Sequence, residues 1–311
     1  MDERNRKNEE ADPAWSGKSR GGSLGYRFFI ALISIGSLPL VYFFIRPVAL
    51  FYLLFTPKSH MWFYFRKIHG YGLWKSLGGI YGTFCRLGEV LVDKVAMLSG
   101  KGPAFSFDFD GEEHLRSMSE KSQGGLLIGA HMGNWEVAGQ LLERIDTPVN
   151  IVMLEAEHES IRDVLEKVMV KRKLRIIPQK EDYSHLFLIK EALERKEFVV
   201  MHSDRFLPGS STLPMSFMGK EARFPTGPLY LASKEQVPVS FVFTLKEGWK
   251  HYHFYATPPR TYAYPSRIRT RKQDLALMLA DYVSALEEML RKYPRQWFNF
   301  FPFWEEESRS A

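Results

Sequence analysis

Cysteine is nearly missing from this chain. Cys85 is the one thiol in 311 residues, which excludes a disulfide scaffold and any thiolate-rich zinc site. No H-E-x-x-H spacing occurs, so the usual zinc-hydrolase helix is missing too. Dense runs of one charge are also lacking. Lys plus Arg number 42 against 36 Asp plus Glu, a net charge of +6. That mild basic balance fits an anionic partner, but no run is dense enough to indicate nucleic acid. There is no internal repeat and no low-complexity tract. Apolar residues at 45% and charged residues at 25% exclude both intrinsic disorder and a polytopic transporter. The length suits about two domains or one large α/β domain.

Aromatic residues are plentiful, at 14%, and the first hundred residues read as a membrane attachment. A polar tail over residues 1–27 precedes Phe28 to Ile45, which carries no charge. After Arg46 and Pro47 comes a second apolar stretch, Val48 to Phe55. Eighteen helical residues reach about 27 Å, the lower limit for crossing a hydrocarbon core of roughly 30 Å. Pro39 and Pro47 are expected to kink or break the helix. The segment therefore reads as a short span, a hairpin in one leaflet, or a buried core helix. Cations on both flanks (Arg20 and Arg27, then Arg46, Lys58, Arg66 and Lys67) favour the hairpin. Tyr52, Trp62, Tyr64, Trp74 and Tyr81 suit an interfacial belt or the wall of an apolar tunnel.

The remainder, 101–311, alternates strand and helix, with a boundary near residue 100. Strands are expected at 105–109, 125–130, 150–154, 174–178, 198–204, 237–245 and 251–257, with a hairpin at 213–224. Helices are expected at 134–145, 158–172, 183–194, 225–234 and 268–293. This is an α/β pattern: a mixed, mainly parallel central sheet flanked by helices, with an N-terminal membrane-associated helical segment at 28–100. Chemistry is then expected at the carboxyl ends of the strands.

The segment Gly129-Ala130-His131-Met132-Gly133-Asn134-Trp135-Glu136 lies at such an end. Within one helix, five steps of 100° would set His131 and Glu136 on nearly opposite faces. They meet only if the chain turns, which Gly133 permits. Glu136 would then hold one imidazole nitrogen and leave the other as a base toward an attacking alcohol or amine. A capping histidine beside a solvated glutamate explains the same spacing taken alone. His202-Ser203-Asp204-Arg205 ends another strand. There Arg205 can grip a phosphate or a phosphopantetheine arm and Asp204 can hold Arg205, or the two form a structural ion pair. His202 is left out of the expected site. Thr226 can cap a helix whose N–H groups face the site, or simply start it.

These blocks, GAHMGNWE, HSDR, FMGKEARFPTGPLYLA and VPVSFVF, resemble the bacterial lipid acyltransferases of the lysophospholipid/lipid A late-acyltransferase superfamily. PAWSGKSRGGSLGYR and PRQWFNFFPFW resemble a narrower branch associated with aryl polyene or flexirubin-type pigment lipids. The resemblance runs from about Pro13 to Trp304. It implies transfer of an acyl chain from an acyl thioester to a hydroxyl or amine of a membrane lipid. The donor it implies is acyl-carrier protein or acyl-CoA, and no cofactor is needed. His131 would be the general base and Glu136 its orienting partner. Asn134, Asp204, Arg205, Gly219, Thr226 and Gly227 would bind substrate. The implied location is the inner membrane, with the catalytic domain on the cytoplasmic face and no nucleic-acid partner. Glycerolipid acyltransferases usually carry aspartate at the place of Glu136 and an E-G-T-R-like phosphate motif. Glu136 and HSDR here favour the lipid A-like side.

Three rivals remain. A zinc hydrolase could assemble His131, Glu136, His202 and Asp204 without a recognised spacing. A serine hydrolase wants G-x-S-x-G at a strand–helix elbow, whereas Ser203 lies in MHSDR. A non-catalytic membrane scaffold would not need His131.

Trp297 to Trp304 is too aromatic for an exposed tail and is expected to pack on the core or line an acyl groove. Lys167–Arg175 and Arg267–Lys272 are basic clusters that suit an acidic carrier protein, anionic headgroups, or a solvated face.

Overall fold

Strand β2 (Gly125–Gly129) is buried at all five positions, as expected of a strand with neighbours on both edges and helices on both faces. The structure is a computed structural model and describes residues 38–98, 105–134, 145, 147–154, 174–180, 182 and 184–308. The polar tail, the first ten residues of the apolar run, Glu136, the helices expected at 134–145 and 158–172, and Lys167 to Lys173 lie outside the described residues, apart from Asn134 and Ile145.

Among the described residues, three helices come first: α1 (Leu38–Phe55), α2 (Ser59–Phe63), which runs on into a π-helical turn over Tyr64–Ile68, and α3 (Leu73–Leu98). The sheet-forming part then contains β1 (Ser106–Asp110), α4 (Glu112–Glu120), β2, β3 (Val149–Leu154), β4 (Leu174–Gln179), α5 (His185–Glu194) and β5 (Phe198–His202). It continues with β6 (Thr212–Phe217), β7 (Lys220–Pro225), α6 (Gly227–Glu235), β8 (Val239–Lys246), β9 (His251–Ala256), α7 (Arg271–Lys292) and α8 (Glu305–Ser308). Among the described residues, seven strands form one sheet in the order β1-β9-β8-β2-β5-β3-β4. The pairs from β8 through β4 are parallel; β9 runs antiparallel to β8, and β1 is parallel to β9. This is the mixed, mainly parallel α/β sheet expected from the sequence.

Alternation along β2 divides the core into two layers. Leu126 and Ile128 face a large cluster with Leu279, Tyr282, Val283 and Leu286 of α7. Leu127 faces the other side, with Leu115 and Met118 of α4 and Phe198 and Phe254. Each such side chain contributes about 1.5–3 kcal/mol on full burial.

Local departures from the expected elements have simple causes. Pro178 does not end β4, which reaches Gln179. This strand is at the sheet edge, where a missing N–H donor is tolerated. β5 stops at His202, so Ser203 and Asp204 lie beyond its tip. Pro225 ends β7 and does not start a helix; α6 begins at Gly227.

α1 passes through Arg46 and Pro47 without breaking. It is held from the side: Leu38, Val41 and Ile45 pack on Val92 and Ala96 of α3. The approach is close enough that a Cβ at Gly88 would sit 2.8 Å from Ile45. A buried charge pair joins the same helices to the sheet. Lys246 of β8 pairs with Asp93 of α3, both side chains sealed from solvent. Asp93 also accepts from Tyr42 of α1, and from Tyr252 of β9 at 2.5 Å.

Candidate active site

The sheet register builds the site. β2 and β5 are parallel neighbours with Gly129 opposite His202, and the Ser203 N–H extends the ladder to the Gly129 carbonyl at 3.1 Å. Residues two positions past each strand tip therefore meet. These are His131 and Asp204. Asp204 Oδ1 lies 2.7 Å from His131 Nδ1, and Oδ2 accepts the His131 main-chain N–H at 3.0 Å. A carboxylate only accepts, so Nδ1 carries the proton and Nε2 the lone pair. Asp204 is buried and the His131 side chain is 21% exposed. Burial pushes the Asp204 carboxyl up, but the His131 charge when the imidazole is protonated, its hydrogen bond, and Arg205 beside it outweigh burial and hold it well below the usual carboxylate range.

Gly133 gives the chain its turn after His131. Its φ is +64°, and a Cβ there would meet the Thr244 carbonyl at 2.0 Å, so no other residue fits without moving β8. The loop is clamped from the far end of the chain. Gly133 N–H donates to the Gln296 carbonyl at 2.8 Å, and Phe298 N–H to the His131 carbonyl at 3.1 Å. Trp297 Nε1 donates to Asp204 Oδ2 at 3.0 Å. From below, the Tyr282 hydroxyl of α7 donates to the Gly129 carbonyl at 2.9 Å.

Of the residues expected to form the site, the structure brings His131, Asp204 and Arg205 together. Arg205 donates to the Phe298 carbonyl at 2.7 Å and lies over the Phe301 ring. The hydrogen bonds of Asp204 go to His131 and Trp297, so its main partner is the imidazole. Glu136 lies outside the described residues, and Nδ1 of His131 is engaged by Asp204. Asn134 is fully buried and turned toward β9, donating to the Tyr252 hydroxyl at 3.2 Å. Gly219 forms a two-residue hairpin turn with Met218, both with positive φ. Thr226 and Gly227 start α6, and Thr226 does not cap it: its hydroxyl donates to the Ser211 carbonyl at 3.1 Å. Among the described residues, no hydrogen bond joins these last three to His131 or Asp204.

His202, left out of the expected site, stands beside it, its ring centroid 4.5 Å from that of His131. Burial, then the neighbouring imidazole, holds His202 well below the ordinary histidine range. It is therefore neutral under His131. Trp297 gave one signal in the sequence, since a buried indole N–H needs an acceptor; Tyr282 gave none. The aromatic run packs on the core through Trp297, Phe303 and Trp304, while Phe300 remains exposed. No cluster of three or more His, Cys, Asp or Glu is placed to hold a metal ion among the described residues.

An imidazole with a fixed tautomer, backed by a buried carboxylate at the carboxyl edge of a parallel sheet, can accept a proton from an attacking nucleophile. Among solved structures, the chain is similar to the 1-acyl-sn-glycerophosphate acyltransferase PlsC from Thermotoga maritima, with 14% identity, a TM-score of 0.37, and coverage of 81% of this chain and 95% of that one. No curated protein matches it. The model of the bacterial lipid A biosynthesis acyltransferase family matches residues 90–306. That match takes in both halves of the His131–Asp204 pair and the Trp297 strap, and the chain belongs to this family of lipid acyltransferases.

Proposed function

We propose that the protein transfers an acyl chain from an acyl thioester to a hydroxyl or amine of a membrane lipid, with His131 as general base. The observation that carries this reading is the His131 Nδ1–Asp204 Oδ1 hydrogen bond of 2.7 Å. Nε2 takes the proton of the acceptor as its oxygen or nitrogen attacks the thioester carbonyl. The tetrahedral intermediate collapses, the C–S bond breaks, and the imidazolium returns the proton to the leaving thiolate. Asp204 stabilises the imidazolium between these steps. Glu136, in the same box, is proposed as a second acid serving the same imidazole, and Arg205 as the cation nearest an anionic part of either substrate. Asn134 serves the loop, and Gly219, Thr226 and Gly227 shape the hairpin and helix beside it. Acyl-carrier protein is the proposed donor ahead of acyl-CoA. The proposed acceptor is a lipid A-like glycolipid or an aryl polyene-type lipid.

The proposed site of work is the cytoplasmic face of the inner membrane, with α1 lying in one leaflet. α1 is long and apolar enough to cross a membrane, but its inner side packs on α3 through Leu38, Val41 and Ile45, and α3 carries Arg86, Glu89 and Asp93. A crossing α1 would draw those charges into hydrocarbon. Its other side presents Phe43, Phe51, Leu54 and Phe55, with Trp74 of α3 80% exposed.

Mass spectrometry of lipids from cells lacking the protein tests the reading. One or more acylated lipids should disappear and return with the wild-type chain but not with His131→Ala. Return with His131→Ala would contradict it.

A further inference from the structure

Asp204 is buried between His131 and Trp297, and its two oxygens have different tasks. Oδ1 takes the ring of His131. Oδ2 takes two N–H donors at 3.0 Å each, the main chain of His131 and the indole of Trp297. The indole has little freedom to leave. Trp297 is buried, its ring edge-packed by Phe303 at 4.9 Å, Tyr64 at 5.5 Å and Trp304 at 5.8 Å. Its backbone bridges to Met132, one residue past His131. Trp297 is therefore fixed to both members of the pair, 93 positions from Asp204.

We propose that Trp297 is a positioning residue of the site: its indole N–H joins the His131 main-chain N–H on Asp204 Oδ2, fixes the turn of the carboxylate against His131 Nδ1 and tempers the pull of that carboxylate on the imidazole. The proposal rests on the reading of His131 as the base. The same N–H also sets the basicity of that base. A hydrogen bond to a carboxylate spreads its charge and weakens its pull on the imidazolium. Without the indole donor, Asp204 keeps the main-chain N–H alone on Oδ2, holds the imidazolium more strongly, and raises the pH at which His131 loses its proton. The charged and titratable groups around the pair are Asp204 and Arg205 past β5, His202 at the tip of β5, and Tyr282 from α7; Glu136 lies outside the described residues.

Trp304 is the internal control. It belongs to the same aromatic cluster and its indole also donates, but to the Phe217 carbonyl at 3.1 Å and not to the pair. A structural role for buried indoles would affect both tryptophans alike.

The test uses the full chain in lipid bilayers, with nitrogen-labelled histidine and the His131 signal assigned by its loss in His131→Gln. Trp297 is replaced by benzothienylalanine, which keeps the shape and puts sulfur in place of N–H. The His131 titration should move upward by about half a pH unit or more, and the same replacement at Trp304 should leave it in place. In the unmodified protein, the Trp297 indole proton should shift as His131 titrates. An unmoved His131 titration, an equal movement from the Trp304 replacement, or an indole signal that ignores the titration would each overturn the proposal. Acyl transfer is measured in parallel. If it fails while the titration shifts as stated, the functional reading falls and the positioning role of Trp297 stands.

Discussion

Asp204 grips His131 twice, at the ring through Oδ1 and at the main chain through Oδ2, across 73 positions of sequence. The double hold fixes the side chain and its backbone together. Asp204→Asn would put an amide donor or a weak acceptor against Nδ1 and favour the wrong tautomer. Turnover should fall on the order of 10²–10⁴-fold, with KM nearly unchanged. Glu136→Gln should fall within the same range if that acid serves the same imidazole. Steady-state rates of the two variants separate the acids, and an unchanged rate removes the acid concerned from its role.

The Lys246–Asp93 pair should behave as a unit. Both side chains are sealed from solvent; burial lowers the proton affinity of the lysine and raises that of the aspartate, against their mutual attraction. Lys246→Met leaves the buried Asp93 carboxylate without its cation and should cost about 3–5 kcal/mol. Lys246→Met with Asp93→Leu should be less damaging than the sum of the two single changes. Denaturant unfolding measures all three, and simple additivity would show that the pair is not coupled.

Stability should fall with acid in a defined window. His69 is held down to about 4 in the folded chain, by burial first and then by the Arg291 and Lys75 charges. Unfolded, it titrates near its ordinary value of about 6.5. Between these two values the unfolded state binds the extra proton, so the His69 contribution is intact above about 6.5 and drains away as the pH drops toward about 4. His69→Phe should flatten the dependence of the melting temperature on pH across that range. A curve as steep as that of the wild type would contradict this.

The outward side of α1 should govern lipid binding. Phe51 and Phe55 are exposed, Phe55 at 70%. Phe51→Asp together with Phe55→Asp should abolish flotation with anionic vesicles, since each buried phenylalanine is worth about 1.5–3 kcal/mol. The melting temperature should not change. Flotation equal to wild type would remove α1 as the contact.

Much of the fold was readable because the sheet is built from fully apolar runs bounded by turn residues. GLLIG and VSFVFTLK leave little choice of state, and α7 shows its apolar stripe at helical spacing. The path of α1 through Pro47 was not readable, because lateral packing on α3 outweighs one missing N–H. The site was half legible. His131 could be found from its place between a strand and a glycine turn. Its link to Asp204 could not, because it depends on the parallel register of β2 and β5, which joins positions 73 apart. Asp93 with Lys246, like Trp297 with Asp204, is a long-range pairing that local pattern does not encode.

The most direct test supplies purified protein with a labelled long-chain acyl-carrier protein and a total lipid extract, and counts label in the lipid fraction. Wild type should acylate a lipid, and His131→Ala should reduce the label to background. Equal lipid-bound label from both proteins would contradict a reaction run by the His131–Asp204 pair.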